Sequence, residues 1–265
     1  MNPKRYPFCT TLALAAFAFA GIASATPAVN SIVVTPRVYN DCSGSILTEV
    51  DSDLAGISLA DSSTGCFGGA NRHAWSFSTD NVNPVDFMNA DQFSFCATIR
   101  AYGTGNGEVG LRLSPWWSAD NDGVFMLNTI SGEIACFGGR LPFYSFTGAP
   151  HSQTYVKGTR VTLAIDYKPN GLTAASPATI VYTLTNANGT FASPPLGFDE
   201  GNPSQNPPRG LWGILNPARA GGYMQIPWGP GTPITLHCDW SNICYDATPV
   251  PATSATWGRI KADYR

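Results

Sequence analysis

FSFCATIR, residues 93–100, alternates without a break: Phe93, Phe95, Ala97 and Ile99 on one side, Ser94, Cys96, Thr98 and Arg100 on the other. A period of two sends successive side chains to opposite faces of an extended chain, so the stretch reads as a half-buried strand. A helix would space its apolar residues three and four apart, and that spacing is nearly absent from this chain. The period of two recurs downstream. Val161, Leu163, Ile165 and Tyr167 share one face of TRVTLAIDY (159–167). KPNGL (168–172) then turns the chain, with Asn170 and Gly171 suited to positive φ. Ile180, Tyr182 and Leu184 point inward in the strand that follows.

Further strand signals lie at 31–35 (SIVVT) and at 108–113, after the glycine-rich turn YGTGNG. Segments 123–129 and 133–137 flank a hairpin turn at Ile130, Ser131 and Gly132. Short apolar runs at 211–215, 223–226, 234–238 and 243–245 complete the set. About ten strands divided by Gly, Pro and Asn turns predict an all-β fold, a two-sheet antiparallel sandwich or jelly roll. Residues 37–89 are weakly patterned and read as loops pinned by Cys42 and Cys66. Residues 186–210, containing SPPLGFDEGNPSQNPP, read as one long irregular loop, of a length more often functional or mobile than inert.

The N-terminus reads as a secretory leader. Lys4 and Arg5 precede an apolar run over 11–22, followed by the A-x-A site Ala23-Ser24-Ala25. The run is too short to span a bilayer, so cleavage is expected, with a mature chain starting at Thr26 outside the cytoplasm. The expected organisation is a leader at 1–25, a stapled sandwich at 26–247 and a tail at 248–265. In the tail, TPVPA (248–252) is extended by its prolines. Trp257, Ile260 and Tyr264 then fall on one helical face behind Thr256 as N-cap, with Arg259, Lys261 and Arg265 elsewhere. Either a frayed terminal helix or a docking tail fits that pattern. It lacks the apolar length of a transmembrane anchor.

Losing Lys4 and Arg5 with the leader takes the formal charge from −3 to −5. Mild acidity argues against nucleic acid and anionic membranes as partners. Charged residues make up 12% of the chain, about half the usual share, so the polar surface must come from neutral groups that suit sugars. Cys9 lies in the leader, which leaves Cys42, Cys66, Cys96, Cys136, Cys238 and Cys244. An even number in a secreted chain predicts up to three disulfides. Nearest neighbours give Cys42–Cys66, Cys96–Cys136 and Cys238–Cys244. Zinc is disfavoured, because no C-x2-C pair occurs and only His237 adjoins a cysteine.

FSFCATIRAYGTGNGEVGLRLS (93–114), and GTRVTLAIDYKPNG followed by ATIVYTLTNANG (158–189), resemble strand pairs of the concanavalin A-like lectin/glucanase sandwiches, laminin-G-like modules included. The resemblance spans roughly 91–245 and implies the sandwich fold. Glucanases of that family carry an E-x-D-x-E run on one strand. This chain has none, so no catalytic residue is carried over.

Several constellations are candidates for chemistry. Glu108 and Glu133 begin two predicted strands and are the carboxylates to test for glycoside hydrolysis. There is no G-x-S-x-G elbow, and His73, His151 and His237 are the only candidate bases. PHSQTY, with His151, Gln153 and Tyr155, offers a lyase-like set without matching a lyase motif. Asp120 and Asp122 in SADNDG resemble the core of a calcium loop, although the acids at its first and twelfth positions are missing. Adjacent Trp116 and Trp117 precede that loop, and an exposed indole stacks on the apolar face of a pyranose. Tyr102 and Arg112 are taken as neighbours of the same site, and Trp228 sits on another loop, PWGPG. Asn188-Gly189-Thr190 is an N-x-T sequon in a turn. With no catalytic motif, the leading expectation is a secreted, non-catalytic carbohydrate-binding module, with calcium as its one candidate cofactor. The alternatives are a polysaccharide hydrolase or lyase on the same scaffold, and a structural surface protein.

Overall fold

The computed structural model describes residues 26–63, 65–66, 68–115, 123–229 and 234–247. The strands in chain order are β1 (Ser31–Asn40), β2 (Ile46–Asp51), β3 (Gly56–Ser63), β4 (Ala70–Ser78), β5 (Phe93–Tyr102), β6 (Glu108–Pro115), β7 (Val124–Asn128) and β8 (Ile134–Phe137). They continue with β9 (Tyr144–Ser145), β10 (Val161–Lys168), β11 (Thr179–Asn186), β12 (Gly189–Ala192), β13 (Leu196–Gly197), β14 (Ala218–Pro227) and β15 (Ile234–Asp246). One short 3-10 turn, Asp53–Ala55, interrupts them. No helix among the described residues is long and apolar enough to cross a membrane.

Two antiparallel sheets form the sandwich. The first runs β1-β4-β14-β6-β7-β8-β9; the second runs β12-β11-β10-β5-β15-β3-β2, with β13 paired to β11. The alternation in FSFCATIR is realised as read: the odd-numbered residues of β5 are buried and the even-numbered ones half-exposed. Phe93, Phe95, Ile99, Val161, Leu163, Ile165, Ile180 and Leu184 line the inner side of the second sheet, against Trp75, Phe77, Val109, Leu111, Phe125 and Met224 of the first. Where the sheets meet, Trp75 and Trp240 pack edge to face, with ring centroids 6.4 Å apart. The Trp240 indole N–H donates to the Gly110 carbonyl at 3.1 Å, tying β15 to β6 across the sandwich. A Cβ at Gly222 would collide with both indoles, so this glycine is required by packing.

Four sequence expectations need correction. Residues 37–89 are not loops but include β2, β3 and β4. Their inward positions hold Asp61, Asn71 and His73, all fully buried, and polar residues in the core erase the apolar alternation. Residues 211–215 form a turn rather than a strand, with Trp212 at φ 55°. The two runs 234–238 and 243–245 are one strand, β15. The long loop at 186–210 is partly organised as β12 and β13.

The disulfides also differ from nearest-neighbour pairing. Cys42–Cys66 forms as expected, but the other bridge is Cys96–Cys244. Cys136 and Cys238 are buried free thiols. Cys238 and Cys244 lie six positions apart on one extended strand, about 20 Å, which no disulfide spans. In β15 the even-numbered positions 236, 238 and 240 face inward, until Asn242 at φ 50° shifts the register. Beyond it Ile243 turns inward and Cys244 outward, directly opposite Cys96 on the outer side of β5.

Candidate functional site

The outer side of the first sheet carries the candidate site. Alternation on β4, β14 and β6 sends Trp75, Met224 and Val109 to the core, and therefore sends Arg72, Gln225 and Glu108 outward. Strand register lines these up. Tyr39 opposes Arg72, Arg72 opposes Gln225, Gln225 opposes Glu108, and Glu108 opposes Asn128. Glu133 follows, its carbonyl accepting from the Asn128 amide at 2.9 Å. The result is one polar row across the sheet.

Arg72 organises the row. Its guanidinium carbon lies 4.3 Å from the Tyr223 ring centroid and 5.8 Å from that of Tyr39, cation–π distances on both sides. Its Nη1 donates to Gln225 Oε1 at 3.1 Å. Burial pushes the Glu108 carboxyl above its usual range; the Arg72 charge opposes that shift and the Glu133 charge adds to it. Glu108 and Glu133, the two carboxylates singled out from sequence, therefore share one face and sense each other.

Beside the row the sheet has an apolar floor, where Tyr223, Met126, Val124 and Ala135 form a second, smaller cluster of buried residues. Arg112, 8% exposed, stands one register step further on, opposite Gly221 and Val124. At the Tyr39 end the row meets an open depression of about 540 Å³, lined by Tyr39, Asn40, Asp41, Gly69, Ala70 and Gln225. The Asp41 carboxylate accepts from the Ala70 amide at 2.7 Å and so closes the wall between β1 and β4.

Not every candidate from the sequence joins this face. Tyr102 does not neighbour Arg112. YGTGNG crosses from the second sheet to the first, so the two residues lie on opposite outer sides of the sandwich. The Tyr102 ring stacks on His237, centroids 4.7 Å apart, and the Arg100 guanidinium carbon lies 4.9 Å from its centroid. Trp116, Trp117, Asp120 and Asp122 lie outside the described residues, as do the leader (1–25) and the tail (248–265). Trp228 is buried and its amide donates to Gly69, a packing role. Among the described residues no group of three or more His, Cys, Asp or Glu is arranged to hold a metal.

The side chains of the PHSQTY set are engaged by neighbouring groups. The Tyr144 hydroxyl meets His151 Nε2 at 2.8 Å, and the imidazole stacks on Phe146 and abuts Phe191 of β12. Gln153 Oε1 accepts from the amides of Asn186 and Asn188, the sequon asparagine, and the Tyr155 hydroxyl accepts from the Ala101 amide at 2.8 Å. His151 and Gln153 close the seam between the β9 and β12 edges, and Tyr155 ties the same loop to β5. His73 points into the core and His237 is held in its stack, so neither is placed as a base on the polar row.

Sequence reading missed Tyr39, Arg72, Tyr223 and Gln225. Met224 and Ile226 alternate with Tyr223 and Gln225 in YMQI (223–226), which marks a strand, but what makes the outward pair part of a site is the register of β14 against β4 and β6.

No protein-family model matches the chain, and no curated protein matches it. Among solved structures, the sandwich is similar to the lectin UEA-II complexed with galactose, at 8% identity and TM-score 0.43, covering 83% of this chain and 100% of that one. It is also similar to the alginate lyase AlgAT5 of polysaccharide lyase family 7, at 8% identity and TM-score 0.40, covering 76% and 82%. A third is the family 7 alginate lyase AlyA1 from Zobellia galactanivorans, at 10% identity and TM-score 0.38, covering 85% and 96%. These are sandwiches of the concanavalin A-like kind that the strand patterns resemble. The likeness is one of fold.

Proposed function

We propose that this protein is a secreted carbohydrate-binding module whose ligand lies on the polar row from Tyr39 to Glu133. The observation that carries this reading is the row itself. It holds guanidinium, amide and carboxylate groups in cross-strand register and ends in an open depression. Planar polar groups of this kind bond two neighbouring hydroxyls at once, and the half-buried Tyr39 ring offers an apolar surface to a sugar ring. A concave site with a few convergent polar groups suits a small ligand or one segment of a polymer. The leader-like N-terminus and two disulfides support an oxidising, extracytoplasmic location.

The test is affinity electrophoresis through a panel of neutral and acidic polysaccharides. Wild-type protein should be retarded by at least one of them. Tyr39→Ala and Gln225→Ala should each weaken that retardation by about fivefold, the worth of one lost hydrogen bond or contact. Retardation unchanged by both would move the site elsewhere. Trp116→Ala and a chelator arm address the second proposed element, the Trp116–Asp122 segment with Asp120 and Asp122 as calcium ligands.

A second reading, a polysaccharide hydrolase, is favoured by one observation. The raised Glu108 carboxyl and Glu133 stand two strand spacings apart on one face, about 10 Å at the backbone. A carboxyl kept protonated can act as general acid beside a second carboxylate acting as base. New reducing ends in the same gels, abolished by Glu108→Gln, would establish it.

A further inference from the structure

We propose that His73 is a positioning residue for this site: neutral His73 locks the β1 bulge that brings Tyr39 to the rim of the depression, and protonated His73 releases it. The inference rests on the reading of the polar row as the ligand site.

The argument starts from register. Val33 opposes Ser76 and Thr35 opposes Ala74. Continued unbroken, that register would set Arg37 opposite Arg72, two like charges facing each other across adjacent strands. Instead the strand slips between Thr35 and Tyr39, and Tyr39 takes the place opposite Arg72. A bulge thus exchanges a repulsive neighbour for an aromatic one.

The bulge is held at one backbone atom. Arg37 sits at φ 55°, uncommon for a residue with a side chain, and its amide donates to His73 Nδ1 at 3.0 Å. Its guanidinium swings away from Arg72 to Asn40 Oδ1, the Cys42 carbonyl and both oxygens of Ser45. Because Nδ1 accepts, the neutral ring carries its hydrogen on Nε2, which donates to Asp61 Oδ2 at 2.8 Å. Asn71 Nδ2 donates to the same carboxylate oxygen at 2.9 Å.

Adding a proton to the buried imidazole can only place it on Nδ1, where it meets the Arg37 N–H donor to donor. The Arg37 bond is then lost, while the Asp61 bond survives and strengthens. The charged groups facing His73 are Asp61 on β3, Arg37 on β1 and, by its longer-range charge, Glu49 on β2; β14 contributes Met224, which is uncharged. Of these contacts, the one that protonation breaks is to β1, the strand that carries Tyr39.

The experiment follows the Arg37 amide, the Tyr39 ring and the His73 ring signals by NMR on the ligand-free, labelled mature chain from about pH 8 to about pH 5. The expected result is a loss of Arg37 amide protection of at least about fivefold, beyond the intrinsic pH effect, with the midpoint of the His73 ring signals. His73→Asn keeps an acceptor near Nδ1 and should show no transition; His73→Gln loses that acceptor and should be unprotected throughout. Should these variants fail to fold, the wild-type titration decides alone. Protection unchanged through the His73 titration, or a His73 ring that stays neutral to pH 5, would overturn the proposal. Polysaccharide retardation at the same pH values should weaken about fivefold with the same midpoint in wild type but not in His73→Asn. Retardation indifferent to pH while the amide is released would also overturn it. A protein that binds no polysaccharide at any pH removes the functional reading, and the amide measurement still decides the bulge.

Discussion

Glu108 shows how a single side chain records the character of the face it occupies. Burial is the largest influence on its carboxyl, and the Glu133 charge pushes the same way, so its folded value stands above the ordinary 4.5. A carboxyl raised in the folded state stabilises the fold below its unfolded value, and that stability is lost as pH rises through the folded value. Glu108→Gln should therefore gain Tm relative to wild type as pH climbs from 4.5 upward. Melting both proteins at pH 4 and pH 7 checks this. A gap between them that does not widen in the glutamine's favour at pH 7 would mean that the carboxyl is solvated after all. The residue scale is also where the sequence was hardest to read. Glu108 and Glu133 stood out because glutamate is rare here. Arg72 and Gln225 acquire their role only from the register of β4 against β14, which no local pattern encodes.

At the scale of elements, β5 was legible because one side of it is apolar throughout, whereas β3 and β4 were not, because Asp61, Asn71 and His73 stand where apolar residues would announce a strand. β15 adds a different lesson. Its bulge at Asn242 reverses which side each residue faces, and a one-residue slip is invisible to a period-two reading. That slip decides the cysteine chemistry. Alkylation of the native, unreduced protein should label neither Cys136 nor Cys238, since both are buried and burial raises both thiols far above the ordinary value. After denaturation without reductant, peptide mapping should find label on both of them, and none on Cys96 or Cys244. The two bridges also differ in the chain they close. Cys42–Cys66 spans 24 residues and Cys96–Cys244 spans 148. In the loop-entropy account, replacing Cys96 and Cys244 with alanine should cost about 1.5 kcal/mol more than replacing Cys42 and Cys66. Denaturant titrations of the two double variants measure that difference, and an equal cost would place the stabilisation in local packing instead.

For the whole molecule, the decisive property is that neither sheet belongs to one half of the chain. β4 pairs with β1 on one side and with β14 on the other, and β15 lies between β5 and β3. Each sheet is completed only when strands from near the end of the chain insert between strands from its beginning. The inner faces then share one apolar core, with the Trp75–Trp240 contact at the seam. Losing β14 would split the first sheet, and losing β15 would split the second. Neither sheet then has a partial form that buries its apolar side, so the sandwich should unfold in one step despite its two layers. Far-UV dichroism follows the strands, and tryptophan fluorescence follows a core that includes both indoles of the seam. The two should give superimposable urea transitions in oxidised protein. Separated midpoints would show that one sheet survives the other, and the interleaved strand order would then not be what couples them. The same interleaving makes native pairings distant in sequence, so refolding should run in milliseconds to seconds rather than microseconds. It also bears on the site. Tyr39, Arg72, Glu108 and Gln225 come from four separate stretches of the chain, so the polar row exists only once β14 has inserted between β4 and β6.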